Sequence, residues 1–383
     1  MLKHSKSGSW QRLALCLGLA MSVGQVFAQA TVAEPAKPSD ASTTISRPQA
    51  DAERQASIRF GEPDARARTP QTLRIASYNL LNFFDSDPVT RPHSEGSPAP
   101  IKPKEERQAA ADAIRAIDAD VVAVQEIESL EVLKRFRDEY LAGMGYEHAV
   151  LIESEDPRGI DNAVLSRFPI VHSETYATLD LGGVQPAMEG NRPNPLAGEP
   201  MRFRRSPLRA DIEIPASHFG GTGSEGRRLT LFVVHHKSGR WSSYWREAEA
   251  RGVVSLAEAV AKATPDAAVI VLGDFNAQTQ DASVRTYLDN GFVDPFAGAT
   301  GPSSVTHESG RRIDKVLLGG RARGAVVTGG SFVLGMPARP EGADWRTTPP
   351  PVGYASDHYP VVVDLRDPAA AAKAEPEAKT TPN

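Results

Sequence analysis

Seven short apolar runs, at 73–77, 121–124, 163–165, 229–234, 269–272, 316–318 and 361–363, limit what this chain can become. Runs of this length, rich in Val, Ile and Leu and bounded by polar or turn-forming residues, predict buried β-strands. Helical spacing occurs between some of them. Ala110, Ala113, Ile114 and Ile117 share one helical face, as do Ala250, Val253, Val254, Ala257 and Ala261. Tyr287-Leu288 leads to Asn290-Gly291, a plausible helix stop. Strands and helices do not alternate strictly, so the pattern predicts a layered α/β or α+β domain with mixed sheets.

The runs lie within 71–367, about 300 residues and compatible with one domain. The flanks at 29–70 and 368–383, rich in Ala, Pro, Ser and Thr without apolar periodicity, are expected to be disordered. Long Pro- or Gly-rich loops are expected at 85–103, 182–200 and 337–353, the first facing substrate. At the N-terminus, Lys3, Lys6 and Arg12 precede the apolar stretch 13–20, and Val26-Phe27-Ala28 supplies a cleavage signal, so 1–28 reads as a secretory signal peptide. Cys16, the single cysteine, leaves with it, which excludes disulfides and Cys-ligated zinc. Leu15 precedes that cysteine and the apolar run follows it, which argues against lipidation. The mature protein is therefore expected to be a secreted or periplasmic monomer with no membrane anchor. Loss of Lys3, Lys6 and Arg12 leaves 40 of the 43 Lys and Arg against 48 Asp and Glu, a formal charge of −8. Any hold on nucleic acid must then come from a local patch or a metal site.

Polar residues recur where the strands end. Asn79, Glu126, His235, and Asp274 with Asn276 follow four of the runs, whereas Asp314 and Asp357-His358 precede two others. If the last two strands run antiparallel to the first four, all these side chains meet at one edge of the sheets. Carboxylate and amide oxygens suit Mg²⁺, Mn²⁺ or Ca²⁺, and imidazoles can donate to phosphate oxygens. Metal-assisted phosphoester hydrolysis fits this set best.

The blocks Ser77-Tyr78-Asn79-Leu80, Val124-Gln125-Glu126, 159–166 (GIDNAVLS), Val234-His235-His236-Lys237-Ser238, Gly273-Asp274-Phe275-Asn276, Arg312-Ile313-Asp314 and Ser356-Asp357-His358-Tyr359-Pro360 stand in this order. In that order the chain resembles the endonuclease/exonuclease/phosphatase superfamily, in particular the pancreatic-deoxyribonuclease-like enzymes and their secreted bacterial nuclease members. The resemblance implies an α/β (α+β) four-layer sandwich, two packed mixed β-sheets flanked by helices. It also implies roles. Glu126 is the main metal carboxylate, with Asn79 beside it and Asp357 nearby, for Mg²⁺ or Mn²⁺, with Ca²⁺ as a further candidate. Asp274 orients or deprotonates the attacking water, and Asn276 contacts the phosphate and that Asp. His235 and His358 stabilise the phosphate, with Asp161 and Asp314 as their respective acidic partners, which would raise both imidazole pKa values.

Other residues stay open between two readings. Lys237 is either an exposed loop lysine or a phosphate contact. Arg202, Arg204, Arg205 and Arg209, interleaved with Phe203, form either a substrate-binding patch, chiefly through Arg204 and Arg205, or a solvated basic edge strand. His236 is read as structural, and Trp241, Tyr244 and Trp245 as packing residues. The expected function is hydrolysis of DNA or RNA. A lipid or small-molecule phosphodiesterase on the same scaffold is the alternative, although no aromatic membrane hairpin of the sphingomyelinase-like kind stands out.

Overall fold

The computed structural model describes residues 52, 54–86, 100–154, 156–222, 226–265 and 267–371. Its strands are β1 (Leu73–Phe83), β2 (Val121–Ile127), β3 (His148–Leu151), β4 (Asp161–Ser166), β5 (Ile170–Thr175), β6 (Met188–Glu189), β7 (Arg192–Pro193), β8 (Leu208–Ile214), β9 (Arg227–His235), β10 (Ala268–Asp274), β11 (Asp314–Gly320), β12 (Phe332–Val333) and β13 (Val361–Leu365). One sheet has the order β12-β13-β1-β2-β4-β3, the other β11-β10-β9-β8-β5, and β6-β7 is a separate hairpin. The longer helices are α1 (Lys104–Ile117), α2 (Leu130–Tyr140), α3 (Ser243–Ala263) and α4 (Ala282–Asp289). Two mixed sheets with helices are thus the expected architecture, and each of the seven apolar runs is a strand.

In the second sheet β9, β10 and β11 are covered on both faces, which explains why they read as unbroken apolar runs. Leu229, Leu231 and Val233 of β9, Ala268, Ile270 and Leu272 of β10, and Val316 and Leu318 of β11 join the main core. The alternate residues Phe232, Val234, Val269, Val271 and Leu317 pack with Val253, Val254, Ala257 and Val260 of α3. Each fully buried side chain of this size contributes about 1.5–3 kcal/mol. Ala261, expected on the buried face of α3, is exposed, and Val260 is the buried residue of that turn. Asn290 caps α4 and Gly291 follows at φ 83°, as the Asn-Gly pair predicts. Strand β8 lies outside the seven apolar runs, though Leu208, Ala210, Ile212 and Ile214 carry the period-two signal of a strand with one face in the core.

The expectation of disorder across 29–70 fails for its second half. Ile58 bridges Pro337, Glu62 bridges Leu334, and Phe60 lies against Tyr359 with ring centroids 6.2 Å apart. Gly61, at φ 76°, passes so close that a Cβ there would lie 2.6 Å from the Gly335 amide. This docking rests on backbone pairing with residues far along the chain, which composition cannot register. At the other end Pro368–Ala371 forms a short helix. The expected signal at 1–28 with Cys16, the flank 29–50, most of the loop 85–103 and the tail from 372 lie outside the described residues. The stretch 182–200 contains the β6–β7 hairpin.

Away from the site edge, the start of the first sheet is held by buried ions. Arg74 of β1 forms two hydrogen bonds with Asp364, its register partner on β13, at 2.7 and 2.9 Å. Asp120 accepts from Arg68 Nη2 at 2.6 Å, the Arg74 N–H at 2.9 Å and Arg167 Nη1 at 3.1 Å. Burial pushes the Asp120 pKa up, but His218, 3.6 Å away, and hydrogen bonds from Arg68 and Arg74 outweigh it and bring it down to about 2. The carboxylate therefore stabilises the fold fully above its unfolded pKa, and this contribution is lost as pH falls through about 2. Asp120→Asn is expected to lower unfolding free energy by about 2 kcal/mol near neutral pH. Denaturant midpoints should show that gap at pH about 7 and its closure toward pH about 2.

Candidate active site

The site follows from strand phase. In the second sheet Asp274 pairs with His235 on one side and with Asp314 on the other, so the three residues form one row across β9, β10 and β11. They continue the alternation that places Val233, Leu272 and Val316 in the core between the sheets, and they sit where that core meets its rim. Because β11 is antiparallel to β10 and β13 to β1, the residues at the starts of β11 and before β13 reach the same edge. The convergence expected of Asn79, His235, Asp274, Asn276, Asp314 and His358 is therefore present.

His358 is the best-held group. Its Nδ1 lies 3.0 Å from both Asp314 oxygens and its Nε2 lies 3.8 Å from Asp274 Oδ2. Burial disfavours charge on the ring, yet Asp314 and Asp274 outweigh that effect and hold its pKa well above the usual imidazole value. The two acids thus favour the charged form of the His358 ring. Asp314 is fixed in turn by Thr306, whose hydroxyl accepts from the Ile313 and Asp314 N–H groups at 3.0 Å each. Asp274 Oδ1 accepts from the Asn276 N–H at 2.8 Å, and Oδ2 from Asn276 Nδ2 at 3.1 Å and Asn79 Nδ2 at 3.3 Å. Burial lifts the Asp274 pKa to about 6, with the His358 cation pulling against it.

His235 departs from its expected arrangement. Asp161 does not pair with it: that carboxylate accepts from the Ser154 N–H at 2.7 Å, and burial raises its pKa to about 6. The acids facing His235 Nε2 are Asp274 at 3.4 Å and Glu126 at 3.7 Å. Burial, with the Arg205 and Arg158 cations, drives the His235 pKa well below the usual value, so the ring is neutral rather than charged. The surroundings push the two imidazoles in opposite directions.

Arg205 explains part of this and corrects a second expectation. It is buried, donating from Nε to His235 O at 2.9 Å, from Nη2 to His236 O at 2.7 Å and from Nη1 to Asp156 Oδ2 at 3.0 Å. All three nitrogens are engaged inside the protein, so Arg205 holds the His235 backbone and is no surface contact for a polymer. Arg204 is partly exposed, its Nε 4.0 Å from Asp156, and Arg209 pairs with Asp211. Nor is β8 an edge strand, since it lies between β9 and β5. Lys237 Nζ donates to Ser238 O at 2.7 Å and to Ser242 Oγ at 3.3 Å. His236 is structural as expected, bonded to Tyr287 at 2.9 Å and paired with buried Glu249 at 3.3 Å. Trp245 packs and donates to Arg202 O, whereas Trp241 is 56% exposed.

Glu126 sits at φ 64°, where the β1–β2 and β2–β4 registers both slip. Its Oε2 accepts from the Asn82 N–H at 2.8 Å, and Leu81 and Asn82 are themselves left-handed. Such conformations cost about 1–3 kcal/mol each and persist only where surrounding structure enforces them. Here buried Lys102 donates to Leu81 O at 3.1 Å, bracing the turn. Glu126 Oε1 lies 3.6 Å from half-exposed Arg158. Neither Lys102 nor Arg158 was singled out in the sequence, and nor was His307, which lies 3.4 Å from Asp357 and packs edge-on to His358. Their roles come from loop placement, for which no local spacing exists.

A divalent cation suits this edge. Asp357 Oδ1 is buried without a hydrogen-bond partner, and the donors are carboxylate, amide and imidazole groups. Among the described residues, His307–Asp357–His358 and Asp274–Asp314–His358 are the clusters whose ligand atoms converge within 4.8 Å. Glu126 stands outside both clusters, its Oε1 3.7 Å from His235 Nε2.

Residues 76–358 match the Endonuclease/Exonuclease/phosphatase family, well over half of the chain. No curated protein is similar enough to this chain to count as a match. Among solved structures, the human nocturnin catalytic domain with bound sulfate is 14% identical, with 78% of this chain and 96% of that chain covered at a TM-score of 0.50, a likeness of fold. An endonuclease/exonuclease/phosphatase from Beutenbergia cavernae is 21% identical, covering 77% of this chain and 71% of that one at a TM-score of 0.48. A family protein from Bacteroides thetaiotaomicron is 18% identical, covering 78% and 98% at 0.47. With the match taking in strands of both sheets and the polar edge between them, this chain belongs to the endonuclease/exonuclease/phosphatase family.

Proposed function

We propose that this phosphoesterase is an exported, divalent-metal-dependent phosphodiesterase that hydrolyses DNA or RNA. The row His235–Asp274–Asp314, closed by His358, carries the reading. Asp274, pinned by Asn276 and Asn79, takes the proton of a water aligned for in-line attack on the phosphorus. His358, charged and held by Asp314, donates from Nε2 to a phosphate oxygen as negative charge develops there. Neutral His235 donates a second hydrogen bond, its position set by Arg205. Glu126, with Asn79 and Asp357, would hold the divalent cation, which when bound supplies neutralisation of the phosphate charge. Arg158 and Arg204, both partly exposed, leave cationic groups at the rim for neighbouring phosphates of a polymer.

One observation favours the alternative lipid substrate. Around the β6–β7 hairpin, Val184, Met188 and Trp241 are 61%, 50% and 56% exposed. Trp241 lies directly over Gly190, where a Cβ would come within 2.7 Å of the ring. Such a patch could rest on a lipid surface.

Purified protein offered plasmid DNA, RNA, sphingomyelin and a chromogenic phosphodiester separates the readings. Cleavage of nucleic acid with Mg²⁺ or Mn²⁺, abolished by EDTA, is the expected result. Full activity in excess EDTA overturns the metal requirement, and cleavage of sphingomyelin alone replaces nucleic acid with lipid. The signal at 1–28 predicts a mature N-terminus near Gln29 outside the cytoplasm; an intact Met1 on a cytosolic form, read by mass spectrometry, overturns export. At the site, His358→Ala should lower turnover by about 10² to 10³, equivalent to about 2.7–4 kcal/mol. Asp314→Asn should lose less, and the double variant should be scarcely worse than His358→Ala alone, because the acid acts through the ring. Multiplicative losses in the folded double variant would separate Asp314 from His358.

A further inference from the structure

Beside the catalytic edge lies a cleft of about 730 Å³, within the size range of small-molecule sites. It opens onto that edge through His307, Asp357 and Asn82, whose N–H holds Glu126. Its remaining lining includes Phe60, Tyr354 and Trp345, and Trp345 is 65% exposed. The guanidinium of Arg346 sits 4.6 Å above the Trp345 ring. Resting on the phosphodiesterase reading, we propose that this cleft is a subsite for a nucleobase of the substrate, stacked on Trp345.

Charge decides against a second phosphate in the cleft. Arg339 donates to Glu308 at 3.3 Å, to Tyr354 at 2.9 Å and to Thr348 O at 3.0 Å. Arg59 donates to Arg339 O at 3.0 Å, lies 4.8 Å over the Phe60 ring and pairs with Glu341 at 3.9 Å. Both cations of the lining are engaged, and Glu308, Glu341 and Asp357 add negative charge to the same walls. An anion is disfavoured there. An alkyl chain is disfavoured too, since it would cover Glu308, Ser309 and His307 without hydrogen-bonding to them. A flat, uncharged heterocycle satisfies both conditions, with a face for the aromatic wall and edge groups for the polar one. Arg59 and Phe60 precede the family-matched residues 76–358, so part of the cleft is built by a segment outside that match.

Adenosine and thymidine, which carry no phosphate, test the cleft directly by ligand-observed NMR titration of the whole protein. Both should bind the native protein, and Trp345→Ala should weaken them by about 5- to 150-fold, the loss of one base–aromatic stack. Trp345→Phe should restore most of the affinity. Because the ring is exposed, circular dichroism should show all three proteins equally folded. Failure of both nucleosides to bind, or equal binding by Trp345→Ala, overturns the proposal. Hydrolysis of methyl p-nitrophenyl phosphate, which has no nucleobase, tests the phosphodiesterase reading separately. Nucleoside binding without that hydrolysis would remove the reaction and keep the cleft, and the reverse would do the opposite.

Discussion

Hydrogen-bond register between three strands is the constraint on which the site depends. His235, Asp274 and Asp314 share one row, in phase with the apolar residues that fill the space between the sheets. A slip of one residue would turn Asp274 toward α3 and bring Leu272 out of the core, so packing of the apolar set enforces the polar row. Gly273 permits the close approach that this needs. At φ 140°, it brings its strand so near to β9 that a Cβ would lie 1.9 Å from Val234 O. No other residue fits there without displacing the neighbouring strand.

Burial at that row acts on two imidazoles with opposite results. His358 is surrounded by Asp314, Asp274 and Asp357, and gains a charge despite desolvation. His235 also faces acids, but Arg205 and Arg158 stand near enough to add to the desolvation and keep the ring neutral. One edge thereby sets a ring pushed toward the charged form beside one pushed toward the neutral form. A phosphoryl group gaining negative charge would meet both without requiring either to change its protonation state first.

Buried ion pairs hold the machinery from behind. Asp156 and Arg205 tie the segment before β4 to the end of β9, and Asp120 with Arg74 and Asp364 closes the far ends of the first sheet. Pairs of this kind add little net stability over an apolar packing, but removing one partner leaves a buried charge uncompensated. Their effect is to fix which strand ends face each other. Left-handed backbone at Glu126 and Asn276 then turns polar groups into the site.

How much of this was legible depends on the range of the interaction. The seven apolar runs became strands because a strand buried on both faces must be apolar along its length, a property local to each segment. The polar residues ending them were legible for the same reason, as interruptions in phase with a core. Asp274, Asn276, Asp314 and His358 therefore meet at one edge, where strand phase predicts them. What the sequence could not determine is which distant groups face one another. The acids beside His235 proved to be Asp274 and Glu126 rather than Asp161, because the Ser154 amide captures Asp161 while Asp156 takes Arg205. Arg205 looked like a polymer contact from its charged neighbours, yet only the packing of β8 inside the sheet shows its charge spent on the backbone of His235. The segment at 58–62 resembled a linker and docks through backbone pairing with 334–337. Local phase is written in the chain; protonation state and pairing arise from desolvation and from contacts that exist only once the sheets have closed.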